Sequence, residues 1–392
     1  MLEPQFAGYE IVKYRPEFRN QILELQTHMW SPNLETNAAY LSWKYYDNPF
    51  IDSSIIYLAL HEGQVVGMRA MFGTCWQGGR PNKVMCCLSD ADAVIHPEHR
   101  RRGLLERMTA MTLADLSHSD YEYVFTLSAN QFSSAHNLKL GWRSVGFLQP
   151  AHRQAQRGED SHVRRLVRSV PVLPSAYRRL RGYIDGGISR SSVHLSLFAA
   201  LDNTSIRTRQ DTLTHILLQK EPKPDAMAEL VERIGDDGRI RHVRDQRFFA
   251  WRFQNPLSEY RCFFWEGERL EGYLILQIPI GADEGEWITI VDWEATSMQV
   301  RADLLRAAIQ WGNFGTLTVW TATLQDEAKK LLQENGVHLL EEAESPTQAP
   351  YQPSLLVRSI LSDKLQSDWM LGDRRLLDMS NWNLRAIYSD NF

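Results

Sequence analysis

The chain has 392 residues, a formal net charge of -5 and a pI of about 6.2. That length predicts two or three domains, and 43% hydrophobic residues with 12 tryptophans exclude a disordered chain. The slight acidity argues against nucleic-acid binding by bulk charge, and leaves room for a local basic site.

No apolar run approaches the length of a membrane span. The opening residues, "MLEPQFAGYEIVKY", lack a basic region followed by an apolar stretch, so no signal peptide is expected. The cysteines Cys75, Cys86, Cys87 and Cys262 form no CxxC pair, and adjacent Cys86 and Cys87 point to opposite sides of a strand. Buried free thiols in a reducing, cytoplasmic compartment are expected, with neither zinc nor a disulfide framework.

In chain order, a strand over "YEIVKY" precedes a helical pattern, "EFRNQILELQTHMW". The stretch "YLSWKYYDNPF" at 40–50 leads into "IIYLALHEGQVVGMRAM", two apolar runs about a Gly turn, which predicts a hairpin. A strand "CCLSDADAVI", a helix "GLLERMTAMTLADL", a strand "YVFTLSA" and a helix "SSAHNLKLGW" complete this half. The same order then recurs. "THILLQ" and "DAMAELVERI" precede "FFAWRFQNPL" at 248–257, and a second hairpin follows in "RCFFWEGERLEGYLIL". After it come "WITIVDW", "RADLLRAAIQWG", "LTVWTA" and "DEAKKLLQENG". Trp43 matches Trp251, Asn48-Pro49 matches Asn255-Pro256, and Gly67 matches Gly272. A spacing of roughly 205 residues is too long for a solenoid and points to two copies of one domain.

Between the copies, a basic segment from His152 to about Arg209 is punctuated by Pro171, Pro174 and "DGG", and reads as an inserted arm with short helices. After the second copy, "EEAESPTQAPYQPS" reads as a polar loop. The tail ends "NWNLRAIYSDNF", and its Trp369, Trp382, Tyr388 and Phe392 predict docking rather than fraying.

The stretch "VIHPEHRRRGLLERM" carries the chemistry. Pro97 should end the strand before it. Leu104, Leu105, Met108 and Met111 make an apolar stripe, so a helix should start near Gly103. Three arginines at a helix N-terminus oppose the dipole unless an anion binds there. Free N–H groups, arginine forks and a glycine that admits close approach suit phosphate oxygens.

"VIHPEHRRRGLL" resembles the pyrophosphate loop of the GCN5-related N-acetyltransferase (GNAT) superfamily, V-x-P-x-x-R-x-x-G-x-G/A, at Val94, Pro97, Arg100 and Gly103. Leu105 departs from the usual small last residue, as in some subfamilies, including the aminoglycoside-modifying "enhanced intracellular survival" acetyltransferases. "LSANQFSSAHNLKLGW" resembles the second motif of the superfamily at Asn130, Gly141 and Trp142. The resemblance covers residues 8–150 well and 211–345 less well, since "WEATSMQVRADLL" stands where the second copy would need R-x-x-G.

The resemblance implies an α+β (mixed α/β) fold of two GNAT-like acyl-CoA N-acyltransferase domains, each a mixed, mostly antiparallel sheet flanked by helices. The expected division is an N-terminal domain with the acyl-CoA loop over 1–150 and a basic connecting arm over 151–210. A second domain without the phosphate loop follows over 211–345, then a C-terminal loop and docked tail over 346–392. Acetyl-CoA or another acyl-CoA is the implied co-substrate, with no metal. Val94 and Ile95 would pair with pantetheine, Arg100, Arg101, Arg102, Gly103, Leu104 and Leu105 would hold the pyrophosphate, and Asn130 and Ser134 would line the donor site. A small-molecule primary amine is the expected acceptor, an amino sugar or sugar nucleotide suiting the arginines, with no nucleic acid or membrane span; oligomeric state is open.

Asp90 and Asp92 are the candidate bases. They alternate with Ala91 and Ala93, so both should face one side, where like charge could raise one pKa toward neutrality. For the acid, Asn137 stands where the superfamily often has Tyr, and adjacent His136 is the substitute. The C-terminal Phe392 carboxylate is a further candidate, by resemblance to the intracellular-survival enzymes. Two other readings stay open: a Fem-type transferase using aminoacyl-tRNA, and a non-catalytic CoA-binding or scaffold protein.

Overall fold

The computed structural model describes residues 8–129, 131–155, 204–207, 215–280, 287–312, 314–339, 353–361 and 369–389. The first half runs β1 (Tyr9–Lys13), α1 (Arg19–Gln26), α2 (Leu34–Tyr45), β2 (Ile55–His61), β3 (Gln64–Gly78), β4 (Lys83–Ile95), α3 (Leu104–Leu116), β5 (Tyr123–Ala129), α4 (Gln131–Lys139), β6 (Arg143–Phe147) and β7 (Pro150–Gln154). The second runs β8 (Thr204–Arg207), β9 (His215–Gln219), α5 (Pro224–Ile234), β10 (Arg241–His242), α6 (Gln246–Arg252), β11 (Ser258–Glu266), β12 (Leu270–Pro279), β13 (Trp287–Ala295), α7 (Met298–Trp311), β14 (Thr316–Trp320), α8 (Asp326–Glu334) and β15 (Ser354–Ser359). No helix among the described residues is long and apolar enough to cross a membrane.

Local signals explain the elements. Asn33 and Asp245 cap α2 and α6, their side chains accepting from free first-turn N–H groups. Glu62 and Gly63 both take positive φ, 51° and 78°, as a two-residue hairpin turn requires. The repeated Asn-Pro makes the same turn twice: Asn48 Oδ1 accepts from Phe50 N at 2.9 Å, and Asn255 Oδ1 from Leu257 N at 3.0 Å. The matched glycines let a helix sit close on each sheet. A Cβ on Gly67 would stand 2.6 Å from Ile95 Cδ1 and 3.3 Å from Met108 Cε of α3, and one on Gly272 2.6 Å from Val300 Cγ1 of α7.

The strands form two large mixed sheets, ordered β1-β2-β3-β4-β5-β15-β6 and β7-β14-β13-β12-β11-β9-β8, with β10 pairing β3. Within each, one pair is parallel, β4 with β5 and β13 with β14, and the rest are antiparallel. The halves exchange strands. β15, from the C-terminal end, lies between β5 and β6 of the first sheet, while β7 of the first half pairs β14 of the second. His152 of β7 also bridges His338, as β15 bridges to β6.

This exchange corrects two readings. The segment read as loop and tail supplies an interior strand, because the Leu-Leu-Val centre of "SLLVRS" is buried on both faces. The ends of the basic arm, Pro150–Gln154 and Thr204–Arg207, are strands of the second sheet; residues 156–203 and Phe392 lie outside the described residues. Cys86 is exposed rather than buried, since it alternates with buried Cys87, and its Sγ lies 3.5 Å from that of cross-strand Cys75.

The largest apolar cluster spans both halves. At its centre Trp43 and Trp251 stack with centroids 5.1 Å apart and planes 12° apart. Each indole N–H donates to the other's backbone carbonyl, at 2.8 and 2.7 Å. The repeat in sequence is thus a pseudo-two-fold contact in space, and the tryptophans belong to the core. Trp43→Ala is expected to cost about 3–5 kcal/mol by opening a cavity, and Trp43→Phe less, about 1–3 kcal/mol, chiefly from the orphaned Trp251 carbonyl. Urea unfolding followed by circular dichroism would measure both; equal losses would show that the hydrogen bond, not the ring, carries the contact.

Candidate functional site: the strand notch and arginine loop

β4 and β5 are paired only at Leu88↔Val124 and Ser89↔Phe125. Beyond that point residues 90–95 stay on β3 and residues 126–129 pair with β15, so the two parallel strands open into a notch. A bulge marks the opening: the β3–β4 register shifts between Met68 and Ala70, and Asp92 takes φ 39°.

The bulge overturns the expectation that Asp90 and Asp92 share a face. Asp90 pairs with Arg69, whose cross-strand neighbour Tyr57 packs with Leu104 and Met108 of α3. Asp92 instead accepts from Lys44 Nζ of α2 at 2.8 Å, and both side chains are fully buried. Lys44 also donates to Tyr40 Oη at 2.9 Å and sits 5.2 Å from the Phe72 ring centroid. One extra residue in the strand turns the second carboxylate through the sheet, which alternation alone cannot foresee. Each carboxylate therefore answers a buried cation rather than the other carboxylate.

The arginine loop follows the strand end. Val94 is buried and Ile95 half-buried. The 3-10 turn Pro97–His99 precedes Arg100, whose Nε donates back to Ile95 O at 3.1 Å. Arg101 and Gly103 both adopt left-handed backbone, φ 63° and 66°. That conformation costs Arg101 about 1 kcal/mol or more and turns consecutive N–H groups to one side. Gly103 occupies the N-cap of α3 and offers no side-chain cap. Arg100, Arg101 and Arg102 are exposed, Leu104 is buried and Leu105 half-buried. The loop thus presents uncapped amides and three guanidinium groups at the mouth of the notch, which suits an anion.

On α4, Ser134 Oγ lies 3.0 Å from Ser354 Oγ of the exchanged strand, and His136 Nδ1 lies 3.9 Å from Glu106 of α3. Asn137 is buried, and its carbonyl accepts from Leu140 N and Trp142 N, ending the helix. Asn130 lies outside the described residues. Of the sequence candidates, the loop residues follow the strand that carries Asp90, Ser134 and His136 face β15 and α3, and Asp92 turns to the other face of the sheet.

The second copy has the same parallel opening but a different filling. Ser297 Oγ accepts from Val300 N, so its helix is capped by the chain itself. Tail residues Arg385 and Ala386 line a cavity with residues of β13 and β14. Arg385 and Arg244 both reach Glu294, at 3.2 and 2.8 Å, and Arg244 also reaches Asp292 at 3.2 Å. Burial opposes the charge on Glu294, but Arg244, Arg385 and Arg301 outweigh it and hold its carboxyl well below the usual range. Asp292 is pushed the other way by burial, with Arg244 opposing and Glu294 reinforcing.

Comparison with known structures meets this geometry. No protein-family model matches the sequence, and no curated protein matches it. Solved structures do. A GCN5-related N-acetyltransferase from Anabaena variabilis aligns over 90% of this chain and 73% of its own, with TM-score 0.50 and 13% identity. A tandem GNAT protein of the clavulanic acid biosynthesis pathway aligns over 91% of this chain and 100% of its own, with TM-score 0.50 and 10% identity. A conserved protein of unknown function from Enterococcus faecalis V583 aligns over 90% and 72%, with TM-score 0.53 and 12% identity. The chain has the tandem GNAT fold.

Between the two GNAT copies lies a cavity of about 10 Å³, room for one water, lined by Trp43, Lys44, Thr74, His242, Tyr388 and Ser389 among others. Arg252, which follows Trp251 as Lys44 follows Trp43, draws the tail here by donating to Ile387 O and Ser389 O at 2.7 Å each. His242 is fixed as the neutral imidazole: Nδ1 faces Val243 O at 2.7 Å, and Nε2 accepts from Cys75 N at 3.3 Å. Burial lowers its pKa to about 4; the Val243 O bond opposes this most, and of the charges Arg244 lowers it, Asp245 raises it and Arg252 lowers it. The unfolded chain therefore takes up this proton first on acidification. Stability should fall by about 3 kcal/mol between pH 6.5 and about 4 through this group, and be whole above that window. His242→Gln should flatten that part of the slope in urea midpoints taken at pH 7 and 4.5; an unchanged slope would assign the titration elsewhere.

Proposed function

We propose that this chain is an acyl-CoA-dependent N-acyltransferase, most simply an acetyltransferase, whose first copy binds the donor and whose acceptor is the primary amine of a small molecule in the cytoplasm. The reading is carried by one observation: a left-handed arginine loop, an uncapped helix N-terminus and a β4–β5 notch meet at one place. The residues fit the donor. The amides after Gly103, with Arg101 and Arg102, would hold its pyrophosphate, and the β4 backbone at Val94 and Ile95 would take the pantetheine.

Bound acyl-CoA supplies a thioester carbonyl open to direct attack by the amine. The chain's part is to hold both reactants and manage protons. Asp90 and Asp92, engaged by Arg69 and Lys44, serve as positioning residues that fix the bulge and hence the notch. His136, a third exposed and facing Glu106, is the candidate for the proton on the leaving thiolate. An amino sugar or sugar nucleotide suits the basic surface as acceptor. The second copy, with its notch filled by Arg385 and Ala386, acts as a partner that completes the first.

Calorimetry with acetyl-CoA tests the donor. Saturable binding is expected, weakened at least ~30-fold by Arg102→Ala combined with Gly103→Glu. Failure to bind acetyl-CoA or longer acyl-CoAs would end this reading in favour of an aminoacyl-tRNA donor or a scaffold role. The positioning role has its own check. Asp92→Asn should cost about 3–5 kcal/mol by stranding Lys44, and Lys44→Met with Asp92→Leu should restore most of it. A stable Asp92→Asn protein with kcat alone reduced would instead make Asp92 the base.

A further inference from the structure

Of the chain's 12 histidines, four meet at one edge of the first sheet, beside the arginine loop. His28, His96, His99 and His61 form a chain of ring contacts, with centroids 5.1, 5.8 and 5.0 Å apart in that order. They come from the turn after α1, the two ends of a 3-10 turn, and the end of β2. His99 N–H donates to His96 O at 2.9 Å, closing the turn that brings the two rings together.

Glu98 joins them: one donor atom from each of His96, Glu98 and His99 lies within 4.8 Å of the others. Two further features fit coordination. Tyr9 Oη contacts His99 Nδ1 at 2.8 Å, which orients the ring and leaves Nε2 for another partner. His96 Nδ1 is buried, with no hydrogen-bond partner among the described residues.

We infer that His96, Glu98 and His99 form a binding site for a divalent transition-metal ion of the zinc type. Two imidazoles and a carboxylate are a usual donor set for Zn2+, with bonds of about 2.0–2.2 Å and donor atoms then roughly 3.3 Å apart. Side-chain rotation must close the remaining gap, and water or His61 completes the shell. The neighbouring arginines oppose a cation, but they are solvent-exposed and screened, while Glu98 contributes charge within the cluster. The absence of CxxC spacing gave no sign of this site, because its donors are histidines gathered by the fold. The turn Pro97–His99 leads directly into Arg100, so a bound ion would stiffen the entry to the arginine loop.

The test uses the full-length chain, stripped with a chelator and free of acyl-CoA, so its outcome is separate from that of the donor experiment. Zn2+ is titrated by calorimetry, and Co2+ by visible absorption, which reports the ligand geometry. One saturable ion per chain is expected. His96→Ala and His99→Ala should each weaken it at least ~10-fold and Glu98→Gln by a smaller factor. His118→Ala, an exposed histidine beyond α3, should leave it unchanged. His99→Gln, with far-UV circular dichroism, guards against a folding defect. Weak multi-site uptake, or one-to-one binding that survives both histidine changes, would overturn the site.

Discussion

Two indoles packed face to face, each holding the other's backbone carbonyl, join the halves of this chain. The contact constrains more than itself. It sets α2 against α6, and Lys44 and Arg252, the residues that follow each tryptophan, line one cavity at the junction. Lys44 reaches the Asp92 bulge of the first sheet; Arg252 draws in the carbonyls of the C-terminal tail. The strand exchange locks the same arrangement from outside, because each sheet borrows a strand from the other half. Neither half alone has a complete sheet, so the domain copies are one folding partnership rather than beads on a string.

From near-identical frames the copies come to different ends. Each opens a notch after its parallel pair and lays a helix close over a matched glycine. In the first, the helix start carries left-handed Arg101 and Gly103 and no cap, so polar groups are left for something else to satisfy. In the second, Ser297 caps the helix, and Arg244, Arg301 and Arg385 pair with Asp292 and Glu294 inside. A buried network of this kind contributes little net stability, and breaking it is costly. Arg385 brings the tail into it, beside β13.

The repeat was legible because packing needs are periodic and local. The Trp, Asn-Pro and Gly matches each have one structural job performed twice, and their order along the chain carries the architecture. The arginine loop was legible for a similar reason: Pro97, three arginines and Gly103 conflict with helix electrostatics unless an anion is present. The alternation at Asp90 and Asp92 misled because a bulge adds one residue, and a one-residue shift sends a side chain to the other face.

Sequence by itself therefore determined the two copies and the placement of the arginine loop before a helix, since these follow from periodicity and turn chemistry, while the mixed sheets were implied by the resemblance of the loop and its following motif to a known family. Tertiary structure alone decided which sheet "SLLVRS" joins, which cation answers each aspartate, and that His28, His61, His96 and His99 meet. Those are contacts between residues far apart in the chain. Many pairings would satisfy the same local pattern, and only the assembled packing selects among them.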